Sequence, residues 1–280
     1  MTGAGAEAGA VLRRPTRLFG GYVFDLDGTL YLGDHLLPGA AQTVATVRRH
    51  AARVAFLTNK PLERPAAYAA KLRDLGIPAE AEDVVSSTDA LLRYLREWAP
   101  TARILSIGEP LIADLLREAG FATLPLDQPE RADLVVVSWD RTFDYAKLLA
   151  AFRAVRNGAR LVATNPDPFC PTPDGDLPDC AAMLAAIEAS SGARAEAVVG
   201  KPSPHMAATL LERLHLAPED TLLVGDRLLT DVRMAQEAGM FSALVLTGAT
   251  GPDALLRSPV TPDYVLGSIA EILPQTHEAS

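Results

Sequence analysis

The residues best suited to chemistry in this sequence are Asp25, Asp27, Thr58, Lys201, Asp226 and Asp231, nearly all standing just past a short apolar run. Phe24-Asp25-Leu26-Asp27-Gly28-Thr29 ends one such run. Side chains alternate along a strand, so Asp25 and Asp27 can emerge toward the same side. Two carboxylates that close repel each other unless something positive joins them. Gly28 allows a tight turn and lets backbone N–H groups approach an anion, although Asp-Gly by itself reads only as a turn. Leu223-Val224-Gly225-Asp226-Arg227-Leu228-Leu229-Thr230-Asp231 repeats the pattern, with a second acid five residues after Asp226. Asp231 alone reads equally well as an acid at a helix N-terminus. Four carboxylates at converging strand ends nevertheless call for a hard cation. Oxygen ligands with retained waters fit Mg²⁺ better than zinc, for which the chain offers no His/Cys cluster. Between the acidic stretches, Leu57-Thr58-Asn59-Lys60 places a hydroxyl and backbone amides before a helix, a phosphate cradle. Val199-Gly200-Lys201-Pro202 sets a lysine at another strand end, where its rim position argues against an ordinary surface lysine.

The elements that carry these residues alternate. Strands are expected at 22–24, 54–57, 84–85, 104–107, 134–137, 161–163, 197–199, 222–224, 243–246 and, as a short edge strand, 264–266. Helices are expected at about 39–50, 64–75, before 98, 109–118, 144–156 and 181–189. Such alternation predicts parallel sheet wrapped by helices, with ligands at the carboxyl ends of the strands. The polar residues fall in the first and last series of strands. The simplest architecture is therefore an α/β fold: a doubly wound parallel-sheet core of residues 19–86 plus 178–280, and a smaller inserted α/β cap of residues 87–177. Residues 1–18 read as a flexible leader.

The 280 residues are 49% hydrophobic and 22% charged, with 35 acids against 26 bases and a net charge of −9. That balance, without a long basic run, excludes a nucleic-acid polymer as partner. No apolar run approaches the ~20 residues a membrane span needs, and the N-terminus lacks the order of a signal peptide. Cys170 and Cys180 read as reduced thiols, and the expected location is the cytoplasm.

Asp25-Leu26-Asp27-Gly28-Thr29, Thr58, Lys201 and the 225–231 stretch resemble, in order and spacing, the four motifs of the haloacid dehalogenase (HAD) superfamily. The resemblance covers nearly the whole chain after residue 19. A lid between Thr58 and Lys201 is similar to that of the subfamily with an α/β cap of the second type, which includes nitrophenylphosphatase-like, phosphoglycolate-phosphatase-like and ribonucleotide-monophosphatase-like enzymes. The 163–167, 171–175 and 198–204 stretches share that likeness. The tail at 242–250 and 261–269 is similar to sugar phosphatases of bacterial arabinose operons. Lys60 stands where many relatives carry a second Asn.

The resemblance implies a Rossmann-like core and hydrolysis of a small phosphate monoester: a sugar phosphate, phosphoglycolate or a nucleotide monophosphate. It implies Asp25 as nucleophile and Asp27 as general acid/base, with the Asp27 backbone carbonyl, Asp25 and Asp226 meeting Mg²⁺ and Asp231 supporting. It implies that Gly28, Thr58, the Asn59 amide and Lys201 hold phosphoryl oxygens, and that two copies pair through the cap. Asn165 and Asp167 are candidate substrate contacts from the cap, weighed against a simple Asn-Pro-Asp turn. His35 and His205 read as loop and helix-surface residues. The rival readings are a phosphosugar mutase or phosphotransferase, and a non-catalytic module that binds a phosphorylated metabolite.

Overall fold

The computed structural model describes residues 12–50, 52–170 and 175–274. It divides into two compact units. One holds the described residues up to Phe56, Leu72–Pro78 and those from Leu214 onward; the other holds Leu57–Lys71 and Ala79–Arg213. The strands in chain order are β1 (Gly21–Asp25), β2 (Tyr31–Leu32), β3 (His35–Leu36), β4 (Arg53–Thr58), β5 (Val84–Ser86), β6 (Arg103–Ile107), β7 (Ala122–Leu124) and β8 (Leu134–Val137). They continue with β9 (Arg160–Ala163), β10 (Phe169–Cys170), β11 (Leu177–Pro178), β12 (Ala197–Val198), β13 (Thr221–Gly225), β14 (Phe241–Val245) and β15 (Tyr264–Leu266).

The larger sheet has the order β15-β14-β13-β1-β4-β5. β1 and β13 run parallel with Phe24 opposite Val224, so Asp25 and Asp226 both lie at carboxyl ends of adjacent strands. Every residue of β1 and β13 is buried. Such strands are covered on both faces, which is why they read as continuous apolar runs instead of alternating ones. β14 and β15 extend the parallel ladder to the expected edge strand.

The second sheet is parallel throughout, in the order β12-β9-β8-β6-β7. Its core joins Val135, Val137, Leu161 and Ala163 to Ala150 and Ala154 of the helix Tyr145–Arg156 and to Met183 and Ile187 of the helix Cys180–Ser191. Asp144 caps the first of these helices by accepting from Lys147 N, and Asp179 caps the second by accepting from Cys180 N.

Two expectations change. Ala197–Val198, expected among the core strands, pairs with Val162 and Ala163 of the second sheet. With the helix Cys180–Ser191 packed there too, the second unit runs well past residue 177. A short apolar run carries no periodicity that says which sheet it will join. The expected leader also differs. Residues 1–11 lie outside the described residues, but Arg13 exchanges both backbone hydrogen bonds with Val265 on β15, at 2.8 and 2.9 Å. Arg14 pairs with Glu271, and Arg17 lies over the rings of Phe19 and Phe241. An open sheet edge offers unpaired N–H and C=O groups, and this segment covers them. The 171–174 part of the cap motif lies outside the described residues. Among the described residues, no helix is long and apolar enough to cross a membrane.

Candidate active site

In the first unit, Asp25, Asp226 and Asp231 are all buried, and one carboxylate oxygen from each lies within 4.8 Å of the others. Local structure explains how they meet. Gly28 takes φ +83, a left-handed turn that an L side chain rarely adopts, and Leu30 N returns to Leu26 O to close it. A π-helical turn, Leu228–Val232, carries Asp231 back over β13, where Asp231 Oδ2 accepts from Arg227 N at 3.2 Å. Such turns are uncommon and frequent at functional sites. Asp226 Oδ2 accepts from Ala249 N at 2.6 Å, and Thr247 Oγ1 donates to Gly28 O.

Glycines make the room. A Cβ on Gly28 or Gly248 would come 2.4 or 2.1 Å from Asp226 Oδ2, and one on Gly225 would come 2.3 Å from Asp231 Cγ. The Thr247-Gly248-Ala249 loop is a part of the site that motif reading missed as chemistry. The available signal was its place directly after the apolar strand β14, on the same rim. Asp27 is half-buried and forms a backbone bridge with Tyr31, outside the carboxylate trio. Three buried acids this close repel one another. Their oxygen-only donor set fits a hard divalent cation of the Mg²⁺ type, with Asp25, Asp226 and Asp231 as the residues to hold it.

In the second unit, Thr58 and Lys201 are buried and Asn59 is half-buried. Thr58 Oγ1 accepts from Lys60 N at 3.1 Å. The Asn59 side chain grips the Lys201 backbone: Oδ1 accepts from Lys201 N at 2.7 Å, and Nδ2 donates to Lys201 O at 3.2 Å. Asn59 Nδ2 also donates to Asp167 Oδ2 at 2.8 Å. Asn165 Nδ2 donates to Asp167 Oδ2 at 3.0 Å and to Asp179 Oδ1 at 3.1 Å, while Asn165 Oδ1 accepts from Thr164. Burial raises Asp179 to about 6, with the neighbouring Asp167 charge adding to the rise.

These contacts revise the cap candidates. Asn165 is fully buried with both ends of its amide engaged, so it offers no surface to a substrate. Asp167 is held by two amides and stands in a network, more than the turn that Asn-Pro-Asp suggested. A reading of local spacing could not find the network, because Asn59 and Asp167 are 108 positions apart. His35 is exposed on β3. His205 is half-buried with its ring edge-on to Tyr94, and burial lowers its basicity. Cys170 and Cys180 are buried free thiols, and burial pushes the Cys180 thiol up to about 12.

The chain is similar to known proteins over most of its length. Residues 22–122 match the haloacid dehalogenase-like hydrolase family, and residues 198–272 match a HAD-hydrolase-like family. The sugar-phosphatase AraL of Bacillus subtilis is 36% identical over 260 residues, covering 92% of this chain and 93% of that protein. The crystal structure of a 4-nitrophenylphosphatase from Thermotoga maritima superposes with a TM-score of 0.85 at 34% identity, covering 90% of this chain and 95% of that one. A glycerol phosphate phosphatase from Mycobacterium tuberculosis, solved in complex with magnesium, gives a TM-score of 0.82 at 34% identity, covering 90% of this chain and 76% of that one. With these matches spanning most of its length, the chain belongs to the haloacid dehalogenase-like hydrolases and, within them, to the phosphatases.

Proposed function

We propose that the protein hydrolyses a small phosphate monoester through a covalent phosphoenzyme on Asp25, with Mg²⁺ as cofactor. The observation that carries the reading is the buried trio Asp25, Asp226 and Asp231, which needs positive charge to be tolerable. Asp25, Asp226, the Asp27 backbone carbonyl and, in support, Asp231 would hold the ion. When bound, the ion supplies charge that offsets the repulsion between an anionic nucleophile and an anionic phosphate.

The residues then divide the work. An Asp25 carboxylate oxygen attacks phosphorus as the P–O bond to the leaving group breaks, and Asp27 gives its proton to the leaving alkoxide. In the second half, Asp27 takes a proton from water, the water oxygen bonds to phosphorus, and the P–O bond to Asp25 breaks to free phosphate and aspartate. Gly28, Thr58, the Asn59 amide and Lys201 hold phosphoryl oxygens through donors and positive charge. The larger sheet, β15-β14-β13-β1-β4-β5, forms the catalytic core, and the second sheet forms the cap.

The sugar, aryl and glycerol phosphates named for its relatives support a small phosphorylated metabolite as substrate. The proposal further takes the protein to act in the cytoplasm, with no nucleic-acid or membrane partner and with two copies paired through the cap. The test is release of phosphate from 4-nitrophenyl phosphate and from a panel of sugar phosphates, phosphoglycolate and nucleotides. Turnover should stop in EDTA and return with Mg²⁺. Turnover that survives both EDTA and Asp25→Asn would sink the proposal.

A further inference from the structure

Asn59 carries more in this structure than a backbone amide. Its side-chain oxygen accepts from Lys201 N at 2.7 Å and its side-chain nitrogen donates to Lys201 O at 3.2 Å, so one amide closes on both polar groups of one residue's backbone. The same nitrogen donates to Asp167 Oδ2 at 2.8 Å. An amide has one accepting and one donating end. Turned over, Asn59 would set nitrogen against Lys201 N–H and oxygen against both Lys201 O and the Asp167 carboxylate. Asp167 therefore selects the orientation in which the grip on Lys201 works.

Other contacts hold the parts in place. Asn165 Nδ2 donates to the same Asp167 oxygen at 3.0 Å and ties it to Asp179, the cap of the helix Cys180–Ser191. Ser87 Oγ donates to Asn59 O at 2.7 Å, fixing the Asn59 backbone from the start of the helix Ser87–Trp98. Gly200 leaves the space, since a Cβ there would stand 2.7 Å from Asn59 Oδ1 and 2.5 Å from Thr164 O.

We infer that the side chains of Asn59 and Asp167 are positioning residues for Lys201, aiming its side chain by clamping its backbone. The inference rests on the proposed role of Lys201 in holding the transferring phosphoryl group. A fixed Cα–Cβ direction limits where the ammonium can go, which is how supporting residues set the precision of a charged group that acts on substrate.

The test uses the full-length enzyme with 4-nitrophenyl phosphate, inhibition by inorganic phosphate, and the Mg²⁺ concentration for half-maximal activity. Asp167→Leu and Asn59→Asp should lower kcat/KM by roughly 10–100-fold and weaken phosphate inhibition, while the half-maximal Mg²⁺ concentration stays at the wild-type value. Asp167→Asn keeps an accepting oxygen for both amides, so it should stay near wild type. Combined with Lys201→Met, Asp167→Leu should cause no further loss, because its effect runs through the lysine. If Lys201→Met alone keeps full turnover and phosphate inhibition, the role given to the lysine fails. If Lys201→Met is crippled but Asn59→Asp and Asp167→Leu behave as wild type, the clamp is overturned. The clamp is equally overturned if the losses multiply in the double variant, or if Asp167→Asn is as poor as Asp167→Leu.

Discussion

Each unit of this protein buries acids close together, and the two do it by different means. In the first unit Asp25, Asp226 and Asp231 gather at strand ends, and the hydrogen bonds described to Asp226 and Asp231 come from the backbone at Ala249 and Arg227. In the second, Asp167 and Asp179 share the side-chain nitrogen of Asn165, and Asp167 also receives Asn59. Three carboxylate oxygens within 4.8 Å of one another fit a cation. Two acids bridged by amides make a scaffold, and one of them eases its own burial by holding a proton more tightly. The lesson is that clustered carboxylates suit a metal where one oxygen of each lies close to the others; where amides bridge them, they suit a rigid scaffold.

The largest effect that would break this comparison is at Asp25. Asp25→Asn should lower kcat on an aryl phosphate by about 10⁴-fold or more, because it removes the proposed nucleophile, while the melting temperature does not fall. A variant that keeps measurable single-turnover phosphorylation would end the nucleophile assignment. Next comes Asp27→Ala. Loss of a general acid costs on the order of 10²–10⁴-fold, and it should be larger for a sugar phosphate than for 4-nitrophenyl phosphate, whose leaving group needs little protonation. Equal losses on the two substrates would count against proton donation.

Gly248→Ala should raise the half-maximal Mg²⁺ concentration by about tenfold or more, since the new methyl must displace Asp226 Oδ2. The same measurement on Asp167→Leu should show no change, and this contrast is the sharpest way to separate the two acid clusters. Added Mg²⁺ should also raise the melting temperature of the wild type. Asp231→Asn should raise the melting temperature of metal-free protein, by removing repulsion, and shrink the Mg²⁺ increment; an unchanged increment would remove Asp231 from the ion's surroundings.

The smallest effect is at Asp179. Its folded pKa of about 6 lies above the usual carboxylate value of 3.8, so the folded state binds the proton more tightly than the unfolded state. The stability that this protonation contributes is present below about pH 4 and is lost as pH rises to about 6. Asp179→Asn should therefore stabilise the protein near pH 7.5, by up to about 3 kcal/mol, and leave it unchanged near pH 4. Urea unfolding at the two pH values checks the sign, and a gain equal at both would refute the buried-acid account.

Much of the core was legible because its signals are local. The apolar runs before Asp25 and Asp226, the glycines at 28 and 225 and the five-residue step to Asp231 all lie within single strand-to-turn segments. The part of Thr247-Gly248-Ala249 was less visible. Its residues carry no charge, and they matter here through a backbone donor, a hydroxyl and the absence of a Cβ. The expected leader misled for a related reason: small, polar, Gly/Ala-rich sequence suggests looseness, but Arg13, Arg14 and Arg17 each find a partner supplied by the C-terminal part of the chain.

By itself the sequence determined that this is an α/β chain with acidic strand ends, because strand burial, turn chemistry and charge type are properties of short stretches. Only the tertiary structure decided that Ala197–Val198 joins the second sheet and that Asn59 meets Asp167 and Lys201. Those pairings join residues far apart along the chain, where no periodicity or spacing links them. They are chosen by which surfaces the folded backbone brings within hydrogen-bonding distance.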